Sequence, residues 1–139
     1  MSNEDVRKIL EETKTIAAVG LSSKEDRPSY GVCRFLRSKG YRIIPVNPRE
    51  SEVLGGKSYP DLKSVSDAID MVLVFRRSEA VPEIAREAID VGAKVLWMQD
   101  GSGNEEAAAL ARAAGLAVVV NDCMMRQYMR FDSEEPIGE

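Results

Sequence analysis

The sequence predicts a three-layer α/β/α fold built on a parallel sheet of about five strands. Five short apolar runs, at 15–19, 41–47, 70–75, 93–98 and 116–120, are continuous rather than alternating. That is the pattern of strands covered on both faces. Helical patterns separate most of these runs, the order expected of a sheet wound by right-handed crossovers. Finally, a Gly/Ser turn follows the first run and leads into a helix start. Backbone N–H groups and a helix N-terminus then lie just beyond a strand end, where anions bind.

The elements follow in order along one domain of 139 residues. Ser2 or Asn3 caps a short leading helix, with Glu4 and Asp5 in its first turn and Val6, Ile9 and Leu10 on one face. After the first strand, Tyr30, Cys33, Phe35 and Leu36 outline a helix that stops at Ser38-Lys39-Gly40. The second connection, 48–69, holds Gly55-Gly56 and Tyr59-Pro60-Asp61-Leu62 and reads as a loop with a short helix near 63–68. Ser78 opens the third crossover, with Pro82 in the first turn and Gly92 at its end. Asn104-Glu105-Glu106 opens the fourth, which closes at Ala114-Gly115. An amphipathic segment at 124–131 is expected to lie back on the sheet, and 132–139 reads as a frayed acidic tail.

Composition removes whole classes of function. The net charge of -4 argues against broad binding to nucleic acid or to an anionic membrane, both of which need a basic face. The chain contains no histidine, so imidazole acid-base chemistry, Ser-His-Asp and Cys-His units and histidine-held metals are all absent. Two cysteines, Cys33 and Cys123, are too few for a disulfide framework or a four-cysteine zinc site, and no metal cluster is evident. The N-terminus lacks a basic start and an apolar signal core, and no apolar run approaches the ~20 residues of a membrane span. A cytoplasmic protein with reduced thiols is the expectation.

Ligands of such sheets bind beyond the carboxyl ends of the strands. The first of these ends reads Gly20-Leu21-Ser22-Ser23-Lys24, then Arg27-Pro28-Ser29-Tyr30. It offers turn N–H groups, hydroxyls and two cations to a phosphate, yet the Gly-x-Gly-x-x-Gly fingerprint of dinucleotide sites is missing. The second ends in Asn47-Pro48-Arg49. A neutral Asn where an NAD site has a carboxylate, followed by a cation, favours a ribose-phosphorylated nucleotide, NADP or coenzyme A. At the third, Phe75 is placed to stack on a base or a pantetheine arm, and Arg76 and Arg77 to reach phosphate. At the fourth, Gln99 and Asp100 are candidates to bond an extended ligand, while Trp97 is assigned to the core. Cys33 is expected to face the core. Cys123 follows the fifth strand, as either a buried inert thiol or one able to join a ligand thiol under oxidation. No pair of these residues forms a catalytic unit.

The chain resembles the stand-alone CoA-binding domain proteins, relatives of the N-terminal domain of the succinyl-CoA synthetase alpha subunit. Ile16-Ala17-Ala18-Val19-Gly20-Leu21-Ser22, Asp26-Arg27-Pro28-Ser29-Tyr30, Gly40-Tyr41-Arg42-Ile43-Ile44-Pro45-Val46-Asn47-Pro48, Val74-Phe75-Arg76, Gly92-Ala93-Lys94-Val95-Leu96-Trp97-Met98-Gln99 and the stretch from Ala114 to Cys123 carry the likeness. It implies a Rossmann-like sheet of order 3-2-1-4-5 with coenzyme A or an acyl-CoA along the strand ends. The turn at 20–23 would hold the pyrophosphate, and Asn47, Pro48 and Arg49 would lie by the adenosine and its 3′-phosphate. Phe75 and Arg76 would flank them, with Gln99 and Asp100 further along the ligand. Synthetases of this kind use a histidine from a second domain as phosphate carrier, and this chain lacks it, so binding without chemistry is expected. Two alternatives stay open: an NADP-binding reductase-like protein, and a CoA-sensing regulatory or scaffold module whose protein partner has no motif in the sequence.

Overall fold

The structure, a computed structural model, describes residues 1–137. Helix α1 (Asn3–Glu12) begins at Ser2, whose hydroxyl accepts from the Asp5 N–H while the Asp5 carboxylate accepts from the Ser2 N–H, both at 3.2 Å. This reciprocal capping satisfies two N-terminal donors. Then come β1 (Thr15–Val19), α2 (Pro28–Ser38), β2 (Arg42–Val46) and a two-stranded hairpin, β3 (Glu52–Val53) and β4 (Gly56–Lys57). The second half holds β5 (Met71–Val74), α3 (Val81–Asp90), β6 (Val95–Met98), α4 (Glu105–Ala113), β7 (Ala117–Val119) and α5 (Met124–Glu134).

The main sheet is parallel and Rossmann-like, ordered β2-β1-β5-β6-β7. Alternate residues of each strand serve opposite faces. Ile16, Ala18, Met71, Leu73 and Trp97 pack under α1, α2 and α5. Ala17, Val19, Val72, Val74, Leu96 and Met98 pack under α3 and α4. The three layers, the five strands and the core positions of Cys33 and Trp97 match the sequence reading.

Three expectations are corrected. The implied order 3-2-1-4-5 puts the third run at the outer edge beyond β2, but that run, β5, lies between β1 and β6. All four of its residues are buried, as a central strand requires. Beyond β2 there is a single parallel bridge between Val46 and Tyr59, where Tyr59 N–H donates to the Pro45 carbonyl and Asn47 N–H to the Tyr59 carbonyl. Pro45 faces that edge without an N–H, so no full strand can pair there.

The second connection holds the β3–β4 hairpin and a 3₁₀ turn at Leu62–Ser64 in place of a helix near 63–68. Positive φ at both Leu54 (53°) and Gly55 (76°) closes that hairpin in the twist that suits paired strands.

Lastly, the expected frayed tail is helical through Glu134. The Arg7 guanidinium donates to the Phe131 and Glu135 carbonyls at 3.2 and 2.7 Å, and Ile137 is buried against the core. A cation on the carbonyls of a helix end favours that end. Residues 138–139 of the expected tail lie outside the described residues.

Candidate functional site at the strand ends

Gly20 sets the geometry of the site. Its φ is +93°, and a Cβ there would stand 2.9 Å from Arg76 Cδ and 3.1 Å from the Phe75 carbonyl oxygen. Only glycine lets the turn after β1 lie this close to the end of β5. The Gly20 N–H donates to the Val46 carbonyl at 2.8 Å, joining the turn to β2 as well.

The turn donors are largely occupied from within. Ser22 N–H donates to Ser29 Oγ and Lys24 N–H to Ser22 Oγ, each at 3.1 Å. Ser23 donates both its N–H (2.8 Å) and its hydroxyl (2.9 Å) to Glu50 Oε2. These two bonds hold the Glu50 carboxyl below its usual range. Leu21 is buried and anchors the turn. The N-terminus of α2 has Pro28 in its first turn and no side-chain cap from Arg27, so its positive end remains open.

Asn47 has a structural role. Its amide donates to the Leu21 carbonyl at 3.1 Å and its carbonyl accepts from the Arg49 N–H at 3.0 Å. It ties the β1 and β2 turns together. Beside it opens a cavity of about 280 Å³ walled by Val19, Val46, Pro48, Pro60, Leu62 and Ile84. Arg76, Asp61, Glu83 and Glu87 also line it. Partial burial raises the Glu87 carboxyl above its ordinary value. Lys24, Arg27, Arg49, Arg76 and Arg77 are exposed and form no ion pair among the described residues.

Phe75 diverges from Arg76. Successive residues at a strand end point to opposite faces, and Phe75 packs toward the α2 and α5 layer with Tyr30, away from the cavity.

Gln99 and Asp100 are also engaged internally. Gln99 is 5% exposed, and its Oε1 accepts from the Met124 N–H at 2.8 Å, capping α5. Asp100 takes two bonds from Arg126, at 3.0 and 3.2 Å, while Arg126 also donates to Asp122 at 2.6 Å. The guanidinium bonds hold the Asp100 carboxyl below its usual range. The Trp97 indole N–H donates to the Asp122 carbonyl at 2.9 Å, securing the same corner. A second, open cleft of about 460 Å³ lies here, lined by Gly101, Gly103, Asn104 and Asn121.

Cys123 is 7% exposed at the N-cap of α5 and packs in the apolar layer with Cys33, which is fully buried. Burial pushes the Cys33 thiol well above its ordinary value. Joining Cys123 to a ligand thiol would require the first turn of α5 to open. Iodoacetamide is expected to leave Cys33 unlabelled in the native protein and to label both thiols after denaturation, read by intact mass. Fast native labelling of Cys33 would contradict the packing of α2.

Of the strand-end candidates, Pro48 and Arg76 line the cavity beside Asn47, Ser22 and Ser29 are joined in the turn that precedes α2, and Gln99 and Asp100 are bonded to α5. Sequence reasoning missed the bonds that Glu50, Arg126 and Asp122 make. Their partners Ser23 and Asp100 are 27 and 26 residues distant, except for the local Arg126–Asp122 pair on α5. The i,i+4 spacing of Asp122 and Arg126 was the one signal that could have found them.

A family described as CoA binding domain matches residues 14–129. The uncharacterized protein YneT of Bacillus subtilis is 42% identical over 123 residues, covering 88% of this chain and 91% of that protein. The solved structure of a hypothetical protein from Pyrococcus horikoshii superposes with a TM-score of 0.91 at 42% identity, covering 94% of this chain and 92% of that one. The chain is also 30% identical over 95 residues to an ADP-forming acetate–CoA ligase of Archaeoglobus fulgidus, matching 67% of this chain but only 14% of the ligase.

Proposed function

Because the chain belongs to the CoA-binding domain family, we propose that it binds coenzyme A or an acyl-CoA at the carboxyl ends of its strands and performs no chemistry alone. The observation that carries this reading is the cavity between β1, β2 and α3, with largely apolar walls and Arg76 in its lining, the residue whose stem lies against Gly20. At about 280 Å³ it falls just below the ~300–1,000 Å³ of whole-ligand sites, a size suited to a nucleoside. The adenosine enters it past Pro48. The phosphates lie over the turn and the open end of α2, met by Lys24, Arg27, Arg49 and Arg76. The rest of the extended ligand runs toward the cleft at Gly101 and Asn121.

The absence of own chemistry is supported by the state of the candidate groups. Asp100 and Asp122 are both bonded by Arg126, and both thiols are buried. No ionisable nucleophile among the described strand-end residues stands beside a free base.

Calorimetric titration of nucleotide-free protein with CoA, dephospho-CoA and NADPH tests the reading. Binding of CoA without NADPH is expected, and preference for NADPH overturns it. Arg49→Ala is expected to weaken CoA about three- to tenfold while leaving dephospho-CoA nearly unchanged, since an exposed charged bond to the 3′-phosphate is worth less than a buried one. Equal losses for both ligands would remove Arg49 from the 3′-phosphate.

A further inference from the structure

We propose that Glu50 is a resident anion on the ligand turn that sets its affinity: its carboxylate holds the Ser23 N–H and hydroxyl that a ligand phosphate takes, and binding proceeds by displacing it. This rests on the reading of the strand ends as a coenzyme site.

Glu50 Oε2 accepts from Ser23 N at 2.8 Å and from Ser23 Oγ at 2.9 Å, so one carboxylate oxygen occupies both donors of the residue. Two converging donors on one oxygen form the arrangement that also suits a phosphate oxygen. The other turn donors are bound differently. Ser22 and Lys24 donate within the turn and its helix, to Ser29 and Ser22, and freeing them would dismantle the turn. Ser23 alone on this turn donates to a side chain from a different loop. That side chain can swing into water, because the backbone beneath it is held independently. Glu50 N–H donates to the Asn47 carbonyl at 3.2 Å, and Asn47 is itself fastened to Leu21.

Charge points the same way. Glu50 forms no ion pair among the described residues, although Arg49 precedes it and is exposed and the Lys24 charge helps to hold its carboxyl below the usual range. Its carboxylate occupies an anion position at Ser23. In the filled site it would face the ligand phosphates as a like charge. Glu50 thus lowers affinity for any anion at Ser23 and favours ligands with enough phosphate charge to replace it.

Inorganic pyrophosphate and CoA, titrated separately into wild type, Glu50→Gln and Glu50→Ala, test this by calorimetry and by the Ser23 amide resonance. Both variants are expected to keep the wild-type Tm and to bind each probe about three- to tenfold more tightly, with the Ser23 resonance moving on addition. Unchanged or weaker binding of both probes by both variants overturns the proposal. Weaker binding would make Glu50 a ligand contact. Tighter pyrophosphate binding by the variants with no CoA binding by any protein would uphold the role of Glu50 while removing CoA as the ligand.

Discussion

Gly20→Val is expected to destabilise the protein by about 3 kcal/mol and to abolish ligand binding at the strand ends. Two costs combine. A non-glycine residue at φ +93° leaves its allowed region, and valine is among the worst placed because its branched Cβ has little rotational freedom. The new Cβ would also stand 2.9 Å from Arg76 Cδ and 3.1 Å from the Phe75 carbonyl oxygen. The arginine stem can move, but the carbonyl belongs to the end of β5 and cannot yield without disturbing the Phe75 N–H bond to Val19. Thermal unfolding reads the first effect, as a fall in Tm of ~10 °C. Titration with CoA below the lowered Tm reads the second. A variant with unshifted Tm would mean that the turn relaxes freely and that the close β1–β5 approach is not required.

Gln99→Leu is expected to cost about 1–3 kcal/mol of stability while changing CoA affinity less than twofold. Leucine is similar in volume but removes the acceptor of the Met124 N–H, leaving a donor of the first turn of α5 unpaired in a buried corner. The carboxyl-end loops of β6 and β7 meet at that corner, so the loss should appear in the global transition. Gln99 faces α5 and not the cavity between β1, β2 and α3, so binding should survive. A strong loss of CoA affinity with unchanged stability would return Gln99 to the ligand. Together the two substitutions separate a residue that shapes the site from one that supports the fold behind it.

The strand ends divide into residues legible from sequence and residues that were not. Gly20, Pro28 and Arg76 occupy the positions the sequence suggested. The first two are backbone constraints, and local chain geometry reports them directly. Asn47, Gln99 and Asp100 were read as ligand contacts because polar side chains at strand ends lie where ligands bind. In the folded chain each meets a nearer partner: the Leu21 carbonyl, the Met124 N–H and the Arg126 guanidinium. A buried polar group without a partner costs more than one with a partner in the protein. Residues far apart in sequence therefore claim these side chains before any ligand arrives. The packing of Phe75 was hidden for a simpler reason, the alternation of side chains at a strand end, which sends it to the α2 and α5 layer.

By itself the sequence determined what short-range physics controls. The continuous apolar runs made five doubly covered strands, and Ser2, Pro28, Pro82 and Asn104 marked helix starts. The lack of histidine closed off imidazole chemistry. Tertiary structure alone decided the placement of β5 between β1 and β6, the burial of Ile137 against the core, the occupation of Ser23 by Glu50, and which strand-end side chains remain free. Hydrophobic periodicity is written in neighbouring residues, whereas strand order and hydrogen-bond partners are chosen among groups that only packing brings together.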